Sequence, residues 1–323
     1  MPAQSRTPDV VFAGVATWDT VAQLPHLPDP DGRVVAEALS GCGGGPAATA
    51  AVTAARLGLA PELVAAVGDD REAALILDGL RADGVGTSSV QTVPGATSGA
   101  CVVLVDRGRG SRAICVRPGP DLAPVPGSPA AQRMMSAGWL LVDHVGLPAI
   151  QRLPAALPPD TRRPVICYDA GNLHPHRCPP EVDVYAPTLT TLRALYGPPS
   201  TGREGPDVPA LLAAAHADGA SVVVATDGAR GAVVSGPDGV FAVPGHAGQV
   251  RSTLGAGDVF HGAFVTALAR GMPLPDALAY ANAAAALSCR GLDGRAGIGD
   301  DAETRALAAR LPASPLVPAT AHR

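Results

Sequence analysis

The chain has 323 residues, of which 47% are hydrophobic and 16% charged, and its formal net charge is −5. This length allows one large α/β domain with an appendage, or two domains. The sequence has no apolar run near 20 residues, no basic-then-apolar opening segment and no clustering of its 24 Lys and Arg. These features argue against a bilayer span, a secretory signal and nucleic acid as the main partner. We expect a cytoplasmic protein that binds a small molecule.

Short continuous apolar runs alternate with helix-periodic segments along the chain. Apolar runs of this length predict strands that are covered on both faces of a sheet, and the alternation predicts βαβ units with mostly parallel strands. The predicted strands span residues 10–15, 63–67, 139–142, 164–168, 182–185 and 221–225. The predicted helices span residues 46–57, 71–82, 209–218, 259–269 and 275–289.

Two strand-like segments, residues 33–39 and 98–116, interrupt this alternation, and the second is split by a polar, Gly-rich turn at 106–110. Paired strands outside the α/β series predict a small sheet over one edge of the core, which could act as a lid. We therefore predict an α/β core, a discontinuous β lid and flexible termini. The core comprises residues 9–32, 41–96 and 118–312, the lid 33–40 and 97–117, and the termini 1–8 and 313–323.

The segment Ser252-Thr253-Leu254-Gly255-Ala256-Gly257-Asp258 leads directly into a predicted helix. Small residues let the main chain approach a ligand, and the first turn of a helix offers unpaired N–H groups, so this segment predicts an anion cradle. A carboxylate at its inner edge would repel phosphate unless it accepts a proton from the group that attacks the phosphate. We therefore interpret Asp258 as a base.

A second glycine run, Gly41-Cys42-Gly43-Gly44-Gly45-Pro46, precedes the Ala-rich predicted helix at 46–57. Glycines before a helix let backbone groups reach a polar ligand, and proline suits the first helical position. Taken alone, this run is equally well explained as a flexible joint between lid and core.

The two glycine elements, about 200 residues apart, together resemble the signature regions of the PfkB/ribokinase family of sugar kinases. The segments at 67–70 and 225–232 also fall where this family has them, so the resemblance covers nearly the whole chain. It implies a Rossmann-like (ribokinase-like), mostly parallel sheet flanked by helices, a β lid over the sugar, and ATP with Mg²⁺ as cofactors. In that scheme Asp258 removes the proton of an alcohol, while the N–H groups of Gly255, Ala256 and Gly257 stabilise the transferring phosphoryl group.

The resemblance also implies a set of sugar contacts. Asp19 would bind vicinal hydroxyls, although an aspartate here could equally cap a turn. Gly44 and Gly45 would contact the sugar through the main chain. Thr49 stands where many relatives have Asn, so it would keep one hydroxyl contact and lose the amide.

Further candidate residues lie at predicted strand ends, in the second glycine segment and on the predicted helices at 259–269 and 275–289. Asp143 and His144 are expected either to contact the sugar or to cap a loop. His261, three residues beyond Asp258 on one helical face, is interpreted as a histidine satisfied within the fold rather than as an acid or phosphate ligand. The expected nucleotide-binding residues are Thr226, Gly228, Gly231, Thr253 and Asn282.

The chain departs from the family pattern at the segment Thr188-Leu189-Thr190-Thr191, where the family usually has Asn-x-x-Glu. This change removes a carboxylate associated with the water around the metal, so Mg²⁺ would be held mainly by ATP phosphates and water. We therefore assign no metal-ligating residue. Ser252 replaces an aspartate that is common just before the glycine run, which weakens the case for a monovalent-cation site beside it, and we assign none.

The glycine motifs and the segment at 294–298 look most like the sulfofructose kinase and ketohexokinase-like branch, which favours a ketose or modified ketose phosphorylated at a primary hydroxyl. Arg117 is the candidate for a sulfonate contact. One alternative is a nucleoside kinase of the same fold, in which Trp18 would stack on the base. A second is a sugar-sensing homologue without catalysis. A homodimer through the lid is possible in each case.

Overall fold

A nine-stranded mixed sheet runs through the computed structural model, which describes residues 9–153, 163–171, 176–197, 207–246 and 248–317. Its strands are β1 (Val10–Ala13), β4 (Glu62–Val64), β9 (Trp139–Val142), β10 (Val165–Asp169), β11 (Val184–Ala186), β12 (Val222–Thr226), β13 (Gly231–Gly236), β14 (Gly239–Pro244) and β15 (Ser314–Val317). They are ordered β15-β14-β13-β12-β11-β10-β9-β1-β4. The six strands from β12 to β4 are parallel, which confirms the predicted mostly parallel sheet.

Helices cover both faces of this sheet. They are α1 (Pro46–Arg56), α2 (Arg71–Ala82), α3 (Pro129–Ser136), α4 (Gly146–Gln151), α5 (Leu189–Tyr196), α6 (Val208–His216), α7 (Ala256–Ala269), α8 (Leu274–Ser288) and α9 (Asp301–Ala308). Along β1 the side chains alternate between two hydrophobic clusters, with Phe12 in one and Val11 in the other. Both faces of the strand are therefore buried, as its uninterrupted apolar sequence predicts. Among the described residues, no helix combines the length and apolarity needed to cross a bilayer.

The antiparallel edge of the sheet was not predicted. Strands β13 and β14 form a hairpin beside β12, and β15 pairs with β14. The prediction of a flexible segment at 313–323 is therefore wrong for Ser314–Val317, because an open sheet edge orders this segment. The rest of that segment, 318–323, and the predicted flexible segment 1–8 lie outside the described residues.

The predicted lid exists as a separate four-stranded sheet, but its strand bounds differ from the prediction. It consists of β2 (Thr17–Leu24), β3 (Ala38–Gly44), β7 (Gly99–Asp106) and β8 (Ser111–Arg117), in the order β3-β2-β7-β8. The strand predicted at 33–39 begins only at Ala38. Strand β2 lies in the lid, although its residues were predicted to belong to the core. The reason is that β3 pairs with β2 from Ala38 through Gly44, so most of the first glycine run is a strand. A two-stranded sheet, β5 (Ala66–Val67) and β6 (Gln91–Thr92), completes the topology.

Candidate active site

The helices that follow the two glycine elements pack against each other in their second turns. Gly262 of α7 packs so closely on α1 that an added Cβ would lie 2.5 Å from Ala50 O. Each helix is preceded by a glycine with positive φ, 91° at Gly45 and 73° at Gly255. The two helix N-termini therefore open at the same end of the molecule, as anion and polar-ligand sites require.

The loop at residues 291–297 connects both elements. Gly294 packs against the second run, since a Cβ at Gly255 would lie 2.8 Å from Gly294 Cα. The next residue reaches the first run: Arg295 Nη2 donates to Gly44 O at 3.0 Å. Asp293 Oδ2 accepts a 3.4 Å hydrogen bond from Ser40 Oγ of the lid. One loop thus joins the predicted phosphate cradle, the sugar-side glycines and the lid.

Asp258 lies in the first turn of α7, directly after the glycine cradle. Burial raises the pKa of Asp258 to about 7, the charge of Asp169 adds to this rise, and His261 opposes it. A carboxylate with a pKa near neutrality is a far better general base than one near 4. The sequence could not foresee this, because the pKa depends on burial and on a charge contributed by another strand.

The three backbone N–H groups predicted to form the anion cradle, those of Gly255, Ala256 and Gly257, have different surroundings. Gly257 has open space beside it, with no heavy atom within 4 Å of an added Cβ. Ala256 N–H makes a long 3.4 Å hydrogen bond to Thr253 O, so it is only weakly engaged. Gly255 holds the left-handed conformation that turns the chain into α7. These features leave the first turn of α7 accessible to an anion.

Arg112 of the lid reaches this cradle, and sequence reasoning missed it. Its Nη1 donates to Thr253 Oγ1 at 2.8 Å, across a separation of 141 residues. Its charge also lowers the pKa of Asp258, opposing the effect of burial. Arg112 follows the lid turn, where arginines are usually solvated, so its sequence context gave no signal.

Asp19 lies in the lid strand β2, facing its neighbours Cys42 on β3 and Cys101 on β7 in register. Thr17 Oγ1 donates to Asp19 Oδ1 at 2.6 Å. Burial raises the pKa of Asp19, while Thr17, Cys101 and Arg295 oppose this. A Cβ at Gly44 would overlap the carboxylate of Asp19, so the absence of a side chain there makes room for it. The neighbouring thiols are partly buried, and this desolvation raises the pKa of Cys42 to about 12 and that of Cys101 to about 12.

Arg295 is a second residue that was not predicted from the sequence, and it lies beside the first glycine run. It is buried, and a Cβ at Gly43 would overlap its guanidinium. Its Nε lies 3.4 Å from Thr49 Oγ1. The hydroxyl of Thr49 therefore accepts a hydrogen bond from Arg295. The absence of side chains at Gly43 and Gly44 makes room for Arg295 and Asp19, respectively. The motif at 294–298 was noticed in the sequence, but nothing in it showed that Arg295 points back to residues 43–49.

Asp143 is placed differently from its predicted sugar contact. Its carboxylate accepts four backbone N–H groups, from Val15, Ala47, Val145 and Gly146, at 2.7 to 3.3 Å. These bonds occupy both oxygens, so Asp143 ties the exits of β1 and β9 to the start of α1, which is the loop-capping alternative. His144 is partly buried beside it, and among the described residues its Nδ1 has no hydrogen-bond partner.

Arg117 and Trp18 point away from the predicted sugar. Residues directly opposite each other in a sheet share a face. Trp18, Ala100 and Arg117 are aligned on one face of the lid, whereas Asp19, Cys101 and Val116 are aligned on the other. Arg117 Nη2 donates to Ser98 O at 3.1 Å. Neither Arg117 nor Trp18 therefore shares the face of Asp19, the predicted sugar contact.

The expected nucleotide-side residues surround the end of β12 and the hairpin beside it. Thr226 ends β12, and Gly228 follows it with φ 56°. Gly231 starts β13, where a Cβ would overlap Val243 O, so this glycine is required by the fold. Asn282 is buried, and its Nδ2 donates to Pro244 O at 3.0 Å, so its amide fixes the end of β14.

Thr188 marks the place of the missing Asn-x-x-Glu motif. Its Oγ1 caps α5 by accepting a 3.0 Å hydrogen bond from Thr191 N. Within the part of the chain that the structure describes, no three His, Cys, Asp or Glu side chains form a group suited to a metal ion.

A half-buried carboxylate beside an open helix N-terminus, linked by one loop to a lid-borne aspartate, is the arrangement expected of a phosphotransferase that acts on a hydroxyl group. The profile described as pfkB family carbohydrate kinase matches residues 14–298, and the chain belongs to this family. It is an ATP-dependent carbohydrate kinase, as the sequence predicted, with a ribokinase-like fold.

Three relatives illustrate the similarity. The ribokinase of Bacillus subtilis is 27% identical over 297 residues, covering 87% of this chain and 92% of the relative. The ATP-dependent ribose-1-phosphate kinase of Halopiger xanaduensis is 30% identical over 289 residues, which cover 86% of this chain and 91% of the relative. The crystal structure of a putative ribokinase from Agrobacterium tumefaciens is 25% identical, with a TM-score of 0.75 over 94% of this chain and 98% of that one.

Proposed function

We propose that this kinase transfers the γ-phosphoryl group of MgATP to the primary hydroxyl of a pentose, with D-ribose as the leading substrate. The observation that carries the proposal is Asp258, a base with a pKa of about 7 at the open N-terminus of α7. The relatives named above are kinases of ribose or of a ribose phosphate, which supports a pentose. No named relative supports the ketose or sulfofructose expected from the sequence, and Arg117 does not face the site.

In the proposed reaction, Asp19 and the backbone of Gly44 and Gly45 hold the sugar under the lid. Asp258 accepts the hydroxyl proton as the oxygen attacks the γ-phosphorus, the bond to the β-phosphate oxygen breaks, and ADP leaves. The first turn of α7 stabilises charge on the phosphoryl oxygens. Mg²⁺ enters with ATP, where it neutralises phosphate charge. ATP is a co-substrate of the cell interior, which supports the expected cytoplasmic location.

The experiment is a coupled ADP-release assay with D-ribose, ribose 1-phosphate, fructose, sulfofructose and adenosine. We expect the highest kcat/KM with ribose. A higher value for fructose or sulfofructose would restore the ketose assignment, and one for adenosine would make the protein a nucleoside kinase. Sugar binding by calorimetry without any ADP release would identify a sugar sensor.

We also propose that the lid forms a homodimer contact. Its face opposite Asp19 carries the exposed side chains of Leu39 and Val102, at 72% and 49% of full exposure. Two such apolar faces would bury each other in a second copy of the chain. Light scattering on Leu39→Glu/Val102→Glu should then show a monomer where the unmodified protein is a dimer. A monomeric unmodified protein would contradict the proposal.

A further inference from the structure

A buried ion pair lies behind the base. His261 Nδ1 is 3.1 Å from Asp169 Oδ2, and the two side chains are only 4% and 2% exposed. Asp169 is the last residue of β10, and its Oδ1 also accepts a 3.1 Å hydrogen bond from Gly171 N. His261 is one helical turn beyond Asp258, which puts the Cβ atoms of these two residues about 5–6 Å apart.

Stability alone does not explain this pair. Among the described residues, His261 Nε2 is buried without a hydrogen-bond partner, which costs free energy. A buried ion pair also costs desolvation that its attraction often fails to recover. Its surroundings include Phe260 and Phe264, so an apolar side chain would pack well here. The histidine therefore calls for a role other than packing.

The charges around Asp258 suggest what that role is. Asp169 raises the pKa of Asp258 and His261 lowers it. Burial disfavours a charged imidazole, but the charges of Asp169 and Asp258 outweigh it and raise the pKa of His261. Within the described residues, the other titratable or charged groups whose charges act on these three include Asp143 and His144 after β9, Tyr168 on β10 and Arg112 on β8.

We propose that His261, held by Asp169, is a positioning residue for Asp258, supplying a fixed positive charge that keeps the base ionised until it accepts the sugar proton. This role rests on Asp258 acting as the base of the proposed function. Without the imidazolium, the attraction that opposes the effect of Asp169 on Asp258 would be lost, so the base would retain its proton to a higher pH.

The first test needs no sugar. In ¹⁵N-histidine NMR titrations of the free full-length protein, His261→Gln identifies the ring signal. Two coupled groups shift each other's titration reciprocally. Asp169→Asn and Asp258→Asn should therefore each lower the pKa of His261. An unchanged His261 titration in Asp258→Asn would overturn the proposal, whether or not ribose is the substrate.

The second test measures kcat against pH with the best sugar. Asp258 must be ionised, so kcat falls as pH drops through its pKa; this fall is the acidic limb of the pH profile. His261→Gln should shift the midpoint of the acidic limb to a higher pH by about one unit. His261→Gln/Asp169→Asn removes both charges and should bring the limb back down. The control His216→Gln removes a histidine bonded to Ala220 O and Ser235 Oγ, and should leave the limb in place.

A merely structural histidine would give a different result. It would lower kcat equally at every pH, with the same limb in the single and double variants, and that outcome would overturn the proposal. If His261→Gln fails to fold, the Asp258→Asn titration still decides the question, because His261 is intact in that variant.

Discussion

The two glycine runs are alike in sequence but use their glycines for different purposes. In the first run, side chains at Gly43 and Gly44 would overlap Arg295 and Asp19, so these glycines make room for the protein's own side chains. In the second run, Gly257 has open space beside it. The first run is therefore packed against the protein's own side chains, and the second leaves open space where a ligand could approach. A glycine motif alone does not reveal which of the two it serves.

The largest expected effect is a loss of kcat, and it tests the role of Asp258 at the second glycine run. Asp258→Asn removes the proton acceptor, so kcat should fall by about 1,000-fold or more with little change in ATP affinity. The pKa of Asp258 is raised on folding, so the native state binds the extra proton between about pH 4 and 7, and stability falls as pH rises through that window. Asp258→Asn should therefore raise the free energy of unfolding at pH 8 by about 1–3 kcal/mol. Unchanged turnover would remove Asp258 from the mechanism.

The next effect tests the first run. Gly44→Ala puts a Cβ against the Asp19 carboxylate and should displace it from the sugar. Because a misplacement of about 1 Å at a reacting site can cost about 100-fold, we expect such a loss in kcat/KM for the sugar, with KM for ATP unchanged. Steady-state kinetics with each substrate varied in turn separates the two. An equal loss toward both substrates would mean that the two runs do not have separate tasks.

A smaller effect is expected from the lid arginine that reaches the second run. Arg112→Ala removes the guanidinium bonded to Thr253 Oγ1 and should lower kcat by about tenfold, because a cation near the transferring group is lost. Arg109, exposed in the lid turn, provides the matched control, and Arg109→Ala should keep its kcat. Similar losses in the two variants would point to overall lid charge instead of this contact.

The smallest effect is on stability, and it contrasts the two runs directly. Gly257→Ala adds a Cβ in open space within a helix, so the free energy of unfolding should rise by about 0.5 kcal/mol. Gly45→Ala forces a side chain into positive φ and against Val15 O, so the protein should lose about 2 kcal/mol or more. Urea denaturation measures both. A stable Gly45→Ala would mean that the first run is less tightly packed than it is in this structure.

The sequence predicted the parts of the fold that local patterns encode. The apolar segment of β9 was predicted with the observed bounds, and so was α2, whose N-terminus is capped by Asp70. Strand β2 was missed because its lid pairing depends on β3 and β7, which follow it in the chain. The edge strand β15 was missed because only its pairing with β14 orders it.

The same limit applies to the candidate site. Asp258 and Asp19 could be put forward as candidates because each belongs to a short motif in the sequence. Arg295 and Arg112 could not, since their partners lie 246 to 251 and 141 residues away. The pKa of Asp258 and the alignment of Arg117 with Trp18 depend on burial and strand register, which a single sequence does not encode.

The thiols beside Asp19 have a practical consequence for experiments on this enzyme. With a pKa of about 12, Cys42 and Cys101 hold almost no thiolate at neutral pH, so alkylating reagents and peroxide should react with them slowly. Exposed Cys115, on the outer face of the lid, should react first. Mass spectrometry after brief alkylation should therefore find the label on Cys115 before it appears on Cys42 and Cys101.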